Sequence, residues 1–263
     1  MGQIKIVFFD IDGTLVSFET HRVPVSTLEA VHEMRQKGVK VYIATGRPLQ
    51  FIDNLGVLEY DGMITVTGAH CFTREGRVIS HSPVPKESVK RVVEYLERED
   101  DAYPVIFVST DNLFVTKINK NVNEVLSLLN LNTPPVGLAS SAEREDVLQM
   151  ISFFKADREE ALMKELMPDC TSMRWHPLFT DVIASNVDKA VGIDKVLAYE
   201  GLNIEQAMAF GDGGNDVSML AHVKYGVAMG NACEELKVVA SYVTDTVDDD
   251  GVVKALKLFG LID

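Results

Sequence analysis

Two aspartates at the end of an apolar run constrain this chain more than any other feature. Residues 8–14 read FFDIDGT, so Asp10 and Asp12 stand two positions apart, just before a Gly-Thr pair. Alternate residues of a β-strand point to the same side, so an extended segment would direct both carboxylates to one place and bury Ile11. The glycine that follows favours a turn. The segment therefore predicts a buried strand that ends in a pair of carboxylates.

The spacing of these carboxylates also predicts chemistry. Two like charges held close together repel each other, so at least one pKa would rise unless a cation lay between them. A hard divalent cation with oxygen ligands, such as Mg²⁺, is the natural neutraliser. One carboxylate would then be available as a nucleophile and the other as an acid or base. Taken alone, the motif also fits a turn with solvated acids, and later segments decide between these interpretations.

The first part of the chain alternates strand and helix patterns. Residues 5–11, 40–46 and 63–68 are predicted strands. Residues 26–29 fit a capping box, which predicts a helix that ends at Gly38. Such alternation is typical of a parallel sheet with helices on its faces.

The middle of the chain has a different pattern, in which strand-like runs outnumber helices. Helical patterns lie near residues 86–99, 121–131 and 157–167, among strand-like runs at 104–108, 113–118, 147–154 and 179–185. Residues 110–112 have the spacing of a hairpin, which favours an antiparallel sheet. The first pattern returns near Lys189. We therefore predict one α/β domain, residues 1–82 and 186–263, interrupted by an inserted α+β domain, residues 83–185.

A segment at the end of the second predicted strand carries the residue types that bind phosphate. Residues 44–48 read ATGRP. Thr45 offers a hydroxyl, and Gly46 lets a backbone N–H approach an anion closely. Arg47 adds a planar donor fork that suits phosphate. On its own this segment also fits an ordinary turn.

A second acidic segment follows another predicted strand. Residues 211–216 read GDGGND, which places Asp212 at the strand end and Asp216 at the start of the next helix. The segment does not match the dinucleotide fingerprint GxGxxG, but it fits the second acidic limb of a metal site. Lys189, just upstream of a Gly-Ile pair, is a candidate positive donor for a phosphate bound between carboxylates.

Taken together, these segments resemble a known family. FFDIDGT, ATGR, a lysine before a Gly-Ile helix start, and GDGGND occur in the order of the four motifs of the haloacid dehalogenase superfamily. The insertion between the second and third motifs resembles the C2-capped branch (subfamily IIB), and within it the Cof-type phosphatases, especially the hexose-phosphate phosphatases. The similarity extends over nearly the whole chain and includes GVAMGNA at residues 226–232. It departs at Thr67, where relatives usually have asparagine.

The resemblance implies a fold and an activity. The fold would be α/β, a Rossmann-like parallel-sheet core with an inserted α+β cap. The activity would be Mg²⁺-dependent hydrolysis of small phosphorylated metabolites, most of all sugar (hexose) phosphates. Asp10 would attack phosphorus and become a phosphoaspartate, and Asp12 would protonate the leaving oxygen and then activate water.

The resemblance also implies which residues hold the phosphate and the metal. The phosphoryl oxygens would be bound by Thr45, Gly46, Lys189 and Asn215. The metal ligands would be the carboxylates of Asp10 and Asp212 and the backbone carbonyl of Asp12. Asp216 would support the metal's waters or orient the lysine.

Two other functions fit part of the pattern. A phosphomutase of the same superfamily would keep Asp10 and Asp12 but would have to keep water from the phosphoaspartate. A non-catalytic phospho-receiver would need no acid–base group at Asp12. The large insertion also fits a lid over a small molecule better than a docking face.

Substrate recognition is expected to lie mainly in the inserted domain, as a lid that closes over the substrate. Its candidate contacts are Arg174, Trp175, His176 and Asp181, because an aromatic face with polar groups suits a sugar ring. Trp175 also fits core packing, and Asp181 also fits a strand end. In the α/β domain, Arg47 is the candidate.

Charge and cysteine content exclude several other classes. The net charge of −14 and the pI of about 4.9 argue against a nucleic-acid surface, whereas a bound cation and local donors would still allow a phosphorylated substrate. The 3 cysteines form no CxxC pair, which indicates buried free thiols and neither a zinc site nor a disulfide framework. No segment is typical of a signal peptide or a membrane span. We therefore expect a cytoplasmic protein with neither a membrane nor an obligate protein partner.

Overall fold

The computed structural model of the chain describes residues 4–129 and 131–263, whose contacts group into two compact units. The first unit comprises residues up to His81 together with Asp188–Asp263, and the second comprises Ser82–Val187. The first unit begins with β1 (Ile6–Phe9), α1 (Val25–Gln36), β2 (Lys40–Ala44), β3 (Gly62–Thr65), β4 (His70–Thr73) and β5 (Val78–His81).

The second unit follows, and the first then resumes. The second unit contains α2 (Lys86–Arg98), β6 (Val105–Val108), β7 (Leu113–Val115), α3 (Lys120–Leu128), β8 (Gln149–Ser152), α4 (Glu159–Leu166), β9 (Cys170–His176) and β10 (Phe179–Ala184). The first unit resumes with α5 (Lys189–Glu200), β11 (Ala207–Gly211), α6 (Val217–His222), β12 (Tyr225–Ala228), α7 (Glu234–Val239), β13 (Tyr242–Val243) and α8 (Gly251–Leu258).

The strands of the first unit form one sheet, in the order β13-β12-β11-β1-β2-β3-β4-β5. All neighbours from β13 to β3 are parallel, and β4 and β5 add an antiparallel edge. Side chains of β1 alternate between two apolar clusters, Val7 and Phe9 on one face and Ile6 and Phe8 on the other. Since both faces are covered, the central strand is apolar throughout. The predicted Rossmann-like parallel core is confirmed.

The second unit is built on an antiparallel sheet in the order β7-β6-β8-β10-β9. One face carries Val105, Phe107, Met150 and Val182, which pack in one cluster with apolar side chains of α2 and α4. The β6–β7 hairpin forms around residues 110–112, as predicted. This unit is therefore an α+β insertion between β5 and α5.

Some local predictions differ from the structure. The first strand ends at Phe9 rather than at residue 11, because the Ile11 carbonyl accepts hydrogen bonds from three following backbone N–H groups in a tight turn. The capping box was wrong: α1 begins after Pro24 without a side-chain cap, and the Ser26 hydroxyl donates to Asp250 instead. The third strand ends at Thr65, and a 3₁₀ turn occupies the remainder of its predicted range.

The three cysteines test the prediction of buried free thiols. Cys71 is buried and Cys170 is half-buried, but Cys233 is exposed, so the prediction of buried thiols is wrong for that residue. Cys233 directly precedes α7, at the surface of the first unit.

Of the helices in the described ranges, none combines the length and the apolar character that crossing a bilayer requires.

Candidate active site

The candidate site lies where three neighbouring strands of the first unit end. Asp10 follows β1, Thr45 follows β2, and Asp212 follows β11. These strands are parallel neighbours, so their carboxyl ends meet at one edge of the sheet, where open α/β sheets bind ligands. The strand order in the sheet thus brings together segments that are far apart in the sequence.

A buried lysine is at the centre of this site. The first residue of α5, Lys189, is 0% exposed, and its Nζ lies 2.6 Å from Asp10 Oδ1 and 2.5 Å from Asp216 Oδ1. Burial alone would lower the pKa of this ammonium, but the charges of the two carboxylates outweigh burial and raise that pKa above its ordinary value. Lys189 is therefore a fixed positive charge.

Three carboxylates converge beside this ammonium. One oxygen from each of Asp10, Asp212 and Asp216 lies within 4.8 Å of the others. Burial raises the pKa of Asp10 well above its ordinary value, against the opposing effect of Lys189. Burial and the charge of Asp216 raise the pKa of Asp212 to about 7. Crowded carboxyl oxygens with raised pKa values fit a hard divalent cation, which would supply the missing positive charge.

The three carboxylates of this cluster differ in how many of their oxygens already accept hydrogen bonds. Both oxygens of Asp216 are occupied, Oδ1 by Lys189 and Oδ2 by the backbone N–H groups of Asp212 and Gly213 at 3.0 and 2.9 Å. Asp10 Oδ1 is bonded to Lys189, and no hydrogen bond to its Oδ2 is found among the residues described. The arrangement favours Asp10 and Asp212 as ligands and Asp216 as the residue that orients the lysine and the loop.

Two residues that the sequence analysis did not select hold Asp212 in place. The hydroxyl of Thr14 donates to Asp212 Oδ1 at 3.0 Å. The side-chain amide of Asn231 donates to the carbonyl of Gly13 at 2.8 Å and lies 3.4 Å from Asp212 Oδ2. Asn231 belongs to the GVAMGNA segment, so a motif signal existed, but nothing in the sequence assigned it this contact.

Asp12 and Arg47 are arranged differently from the sequence expectation. The Asp12 carboxylate does not join the three clustered acids, because it forms a two-pronged ion pair with Arg47, with both N–O distances 2.7 Å. The third guanidinium nitrogen donates to the carbonyl of Phe51 at 2.8 Å. Because the chain turns at Ile11, Asp10 and Asp12 do not lie on one extended strand, and the Asp12 carboxylate is outside the group of three acids. Arg47, predicted as a substrate contact, is bonded here to the predicted acid–base residue.

The residues predicted to bind the phosphoryl oxygens, here called the phosphate cradle, are Thr45, Gly46, Lys189 and Asn215. The Thr45 hydroxyl accepts a hydrogen bond from the backbone N–H of Arg47 at 3.1 Å, which fixes its rotamer. A Cβ placed on Gly46 would lie 3.4 Å from Asn215 Nδ2 and 3.4 Å from Thr67 Oγ1. Two polar side chains therefore lie close to this glycine, and no described acceptor takes its N–H.

The candidates in the inserted unit lie together at the β9–β10 turn. The indole of Trp175 is 57% exposed and donates to Asp181 Oδ2 at 3.0 Å. Burial raises the pKa of Asp181 to about 6, and the Trp175 hydrogen bond opposes that rise. The ring of His176 stacks on Phe179 at 5.8 Å.

Arg174 is bound within the same unit. Its guanidinium pairs with Glu159 and donates to the carbonyls of Phe154, Pro177 and Phe179. These contacts fasten the β9–β10 turn to α4 and leave little of the donor fork for a ligand. As substrate contacts, the four residues remain predictions.

Comparison with known proteins identifies the family. A sequence model of the haloacid dehalogenase-like hydrolases matches residues 7–256. The chain is 34% identical over 266 residues to "Putative phosphatase YkrA" of Bacillus subtilis (strain 168), with 98% of each protein covered.

Solved structures agree with this assignment. The structure of the haloacid dehalogenase subclass IIB sugar phosphatase BT4131 matches with a TM-score of 0.88 and 44% identity, covering 98% of this chain and 100% of that one. The phosphatase BT1666 from Bacteroides thetaiotaomicron matches with a TM-score of 0.89 and 37% identity, covering 99% and 96%. The chain therefore belongs to the haloacid dehalogenase-like hydrolases and is a Cof-type phosphatase, a phosphoric monoester hydrolase.

Proposed function

We propose that the protein is a Mg²⁺-dependent phosphatase of small phosphorylated metabolites, chiefly sugar phosphates, and that it acts through a phosphoaspartate on Asp10. The observation that carries this proposal is the position of the Asp10 carboxylate. It is buried at a strand end, held through one oxygen by Lys189, and adjacent to a second carboxylate suited to a metal. A nucleophile with one fixed and one free oxygen is aligned before substrate arrives.

In the proposed mechanism, the free oxygen of Asp10 attacks phosphorus, and the substrate's bridging oxygen leaves with a proton from Asp12. Water then attacks the phosphoaspartate, and Asp12 takes up the water's proton. Lys189 and the donors around Gly46 stabilise the negative charge on the phosphoryl oxygens. A bound Mg²⁺ would be held by Asp10, Asp212 and the Asp12 carbonyl, and would supply charge neutralisation at the phosphoryl group.

The ion pair between Asp12 and Arg47 has a consequence for the first step. Both Asp12 oxygens accept from the guanidinium at 2.7 Å, so this carboxylate is held against Arg47. We propose that Asp12 releases at least one arm of Arg47 when it donates a proton to the leaving group. A phosphorylated substrate offers Arg47 another anion, which would assist that release.

The substrate class is tested by phosphate release from a panel of phosphorylated sugars, nucleotides and carboxylic acids, with Mg²⁺ and with EDTA. Support for sugar phosphates comes from the similarity to BT4131, which is a sugar phosphatase. We also propose that the inserted unit selects the leaving group, with Trp175 and Asp181 as the first residues to substitute. If no sugar phosphate exceeds the other classes in kcat/KM, the sugar-phosphate proposal fails.

Metal binding should stabilise the protein more at pH 8 than at pH 5. In the metal-free fold, the pKa of Asp212 rises from 3.8 to about 7 and that of Asp10 also rises. An acid with a raised folded-state pKa loses stability as pH increases from its ordinary pKa through the raised one. Above pH 7 the Asp212 carboxyl is ionised and binds a cation without releasing a proton, whereas at pH 5 a cation must displace that proton.

The measurement is the unfolding midpoint with and without Mg²⁺ at both pH values. At 100 times the dissociation constant, Mg²⁺ should add about 2.7 kcal/mol at pH 8 and clearly less at pH 5. Ca²⁺ should support little turnover, because it takes more ligands at longer distances. Full activity of demonstrably metal-free protein in EDTA would contradict the metal requirement.

Substitution of Gly13 by alanine should reduce kcat by about 10²-fold, since misplacement of a catalytic group by about 1 Å has that effect. Gly13 has φ +77°, and a Cβ there would lie 2.2 Å from Asp212 Oδ2. The added methyl group must displace Asp212.

Gly38→Ala is a matched control for this substitution. Gly38 has φ +82°, a similar backbone conformation, and a Cβ there would meet nothing within 4 Å. Both variants should lose stability because of backbone strain, but only Gly13→Ala should lose kcat. Equal kcat values in the two variants would show that the clash with Asp212 is relieved without effect.

A further inference from the structure

The turn that follows β3 contains two β-branched residues in a conformation that such residues rarely adopt. Val66 and Thr67 have φ of 51° and 53°, and Gly68 has φ of 104°. Positive φ at a β-branched residue is strained, and such residues cluster at functional sites. The backbone N–H groups of Val66 and Thr67 donate to the carbonyls of Arg47 and Thr45 at 3.1 and 3.0 Å. The strained turn is thus bonded directly to the phosphate cradle.

The strain places one hydroxyl beside Gly46. Thr67 is 4% exposed, and its Oγ1 is as far from the Cβ position of Gly46 as the Asn215 amide is, 3.4 Å. Among the residues described, no hydrogen bond involves the Thr67 hydroxyl, whereas the hydroxyl of Thr65 donates to the His70 carbonyl at 3.3 Å. Thr67 Oγ1 is not one of the fully enclosed polar atoms without a partner, so this hydroxyl can donate to a ligand that enters beside Gly46.

We propose that Thr67 Oγ1 is a further donor of the cradle, which hydrogen-bonds an oxygen of the phosphoryl group bound over Gly46. The inference rests on the proposed function, since it requires the phosphoryl group to lie at Gly46. It adds a second polar side chain beside Gly46, in addition to the amide of Asn215. Inorganic phosphate, the product, would use the same contact.

Val66, the residue before Thr67, shows that the turn itself does not require a hydroxyl group. Val66 has nearly the same φ as Thr67 and is equally β-branched, but it carries no polar atom. The turn therefore accepts a valine at such a φ. Asparagine tolerates positive φ better than threonine does and also carries donors.

The test uses inorganic phosphate as a competitive inhibitor of the Mg²⁺-loaded enzyme. Thr67→Val should raise the phosphate inhibition constant ~10-fold or more, because a hydrogen bond to a charged group is lost. Thr67→Ser and Thr67→Asn should stay within about threefold of wild type, since both keep a donor. Thr67→Asn should also raise the unfolding midpoint, because it relieves backbone strain, and this separates binding from stability.

A second pair of variants tests the proposal if Thr67→Val does not fold. Thr67→Ser and Thr67→Ala differ by one oxygen atom, and only the alanine variant should bind phosphate weakly. Equal inhibition constants for serine and alanine, or a folded Thr67→Val that binds phosphate like wild type, would overturn the proposal. If wild type itself releases no phosphate from any substrate and phosphate does not inhibit it, the proposed function fails instead.

Discussion

Replacement of Asp10 by asparagine is expected to lower phosphate release by at least ~10⁴-fold, because loss of a nucleophile removes the covalent step. An amide oxygen is a poor nucleophile towards phosphorus, and no other described carboxylate can take its place. Asp216 has both oxygens occupied, and the Asp12 carboxylate is paired with Arg47. The readout is phosphate release under single-turnover and steady-state conditions.

The same variant should remain folded, which makes the result interpretable. Asparagine keeps the size of aspartate, and its Oδ1 can still accept from Lys189. The substitution removes one negative charge from three carboxylates that surround a single ammonium. Repulsion decreases, so the unfolding midpoint of metal-free Asp10→Asn should equal or exceed that of wild type.

Asp194→Asn is a suitable control for a general effect of losing a carboxylate. Asp194 is exposed on α5 and pairs only with His222 among the described residues, at 2.7 Å. Its substitution should leave phosphate release unchanged. If Asp10→Asn and Asp194→Asn retained comparable turnover, Asp10 would not be the nucleophile.

The sequence predicted the convergence of the segments of the candidate site, because that convergence follows from the strand order of the sheet. Asp10, Thr45 and Asp212 each follow an apolar strand, and parallel strands end at one edge of a sheet. Backbone pattern alone therefore places these side chains together. Lys189, at the first position of a helix that packs on the same sheet, required the family resemblance in addition.

Contacts that depend on turns and rotamers were not predictable in this way. The pairing of Asp12 with Arg47 follows from a tight turn within the DIDGT segment and from the reach of a long side chain. Neither leaves a periodic signal in the sequence. The polar strand β9 (Cys170–His176) was missed for a related reason, because it lies at a sheet edge and its pairing with β10 shifts register near Phe179.

The largest effect on stability is expected from Lys189→Met. The ammonium is 0% exposed and bonded to two carboxylates, and methionine would leave both acids buried without their cation. Breaking a buried ion pair from one side costs about 3–5 kcal/mol. Turnover should also fall to background, since Lys189 orients the nucleophile and offsets phosphoryl charge.

The pH dependence distinguishes loss of charge from loss of packing. In wild type, the pKa of Lys189 is raised above its ordinary value, so its contribution is fully present from pH 5 to pH 8. In the variant, Asp10, whose pKa burial already raises, can take up a proton as the pH falls, which removes one unpaired charge. The stability deficit, measured by urea unfolding without metal, should therefore be larger at pH 8 than at pH 5. A packing defect would give the same deficit at both.

A second substitution makes this prediction sharper. If the deficit comes from an unpaired carboxylate, Asp216→Asn should restore part of the stability of Lys189→Met, and the two changes should be non-additive by more than 0.5 kcal/mol, as expected for residues in contact. Lys195→Met, on the exposed side of the same helix, controls for loss of a lysine from α5. Turnover should not return in the double variant, because it still lacks the positive charge of Lys189 that would offset the charge of the phosphoryl group. Recovery of stability without recovery of activity would separate the two roles of Lys189, and full additivity would show that its ion pair with Asp216 does not contribute to the deficit.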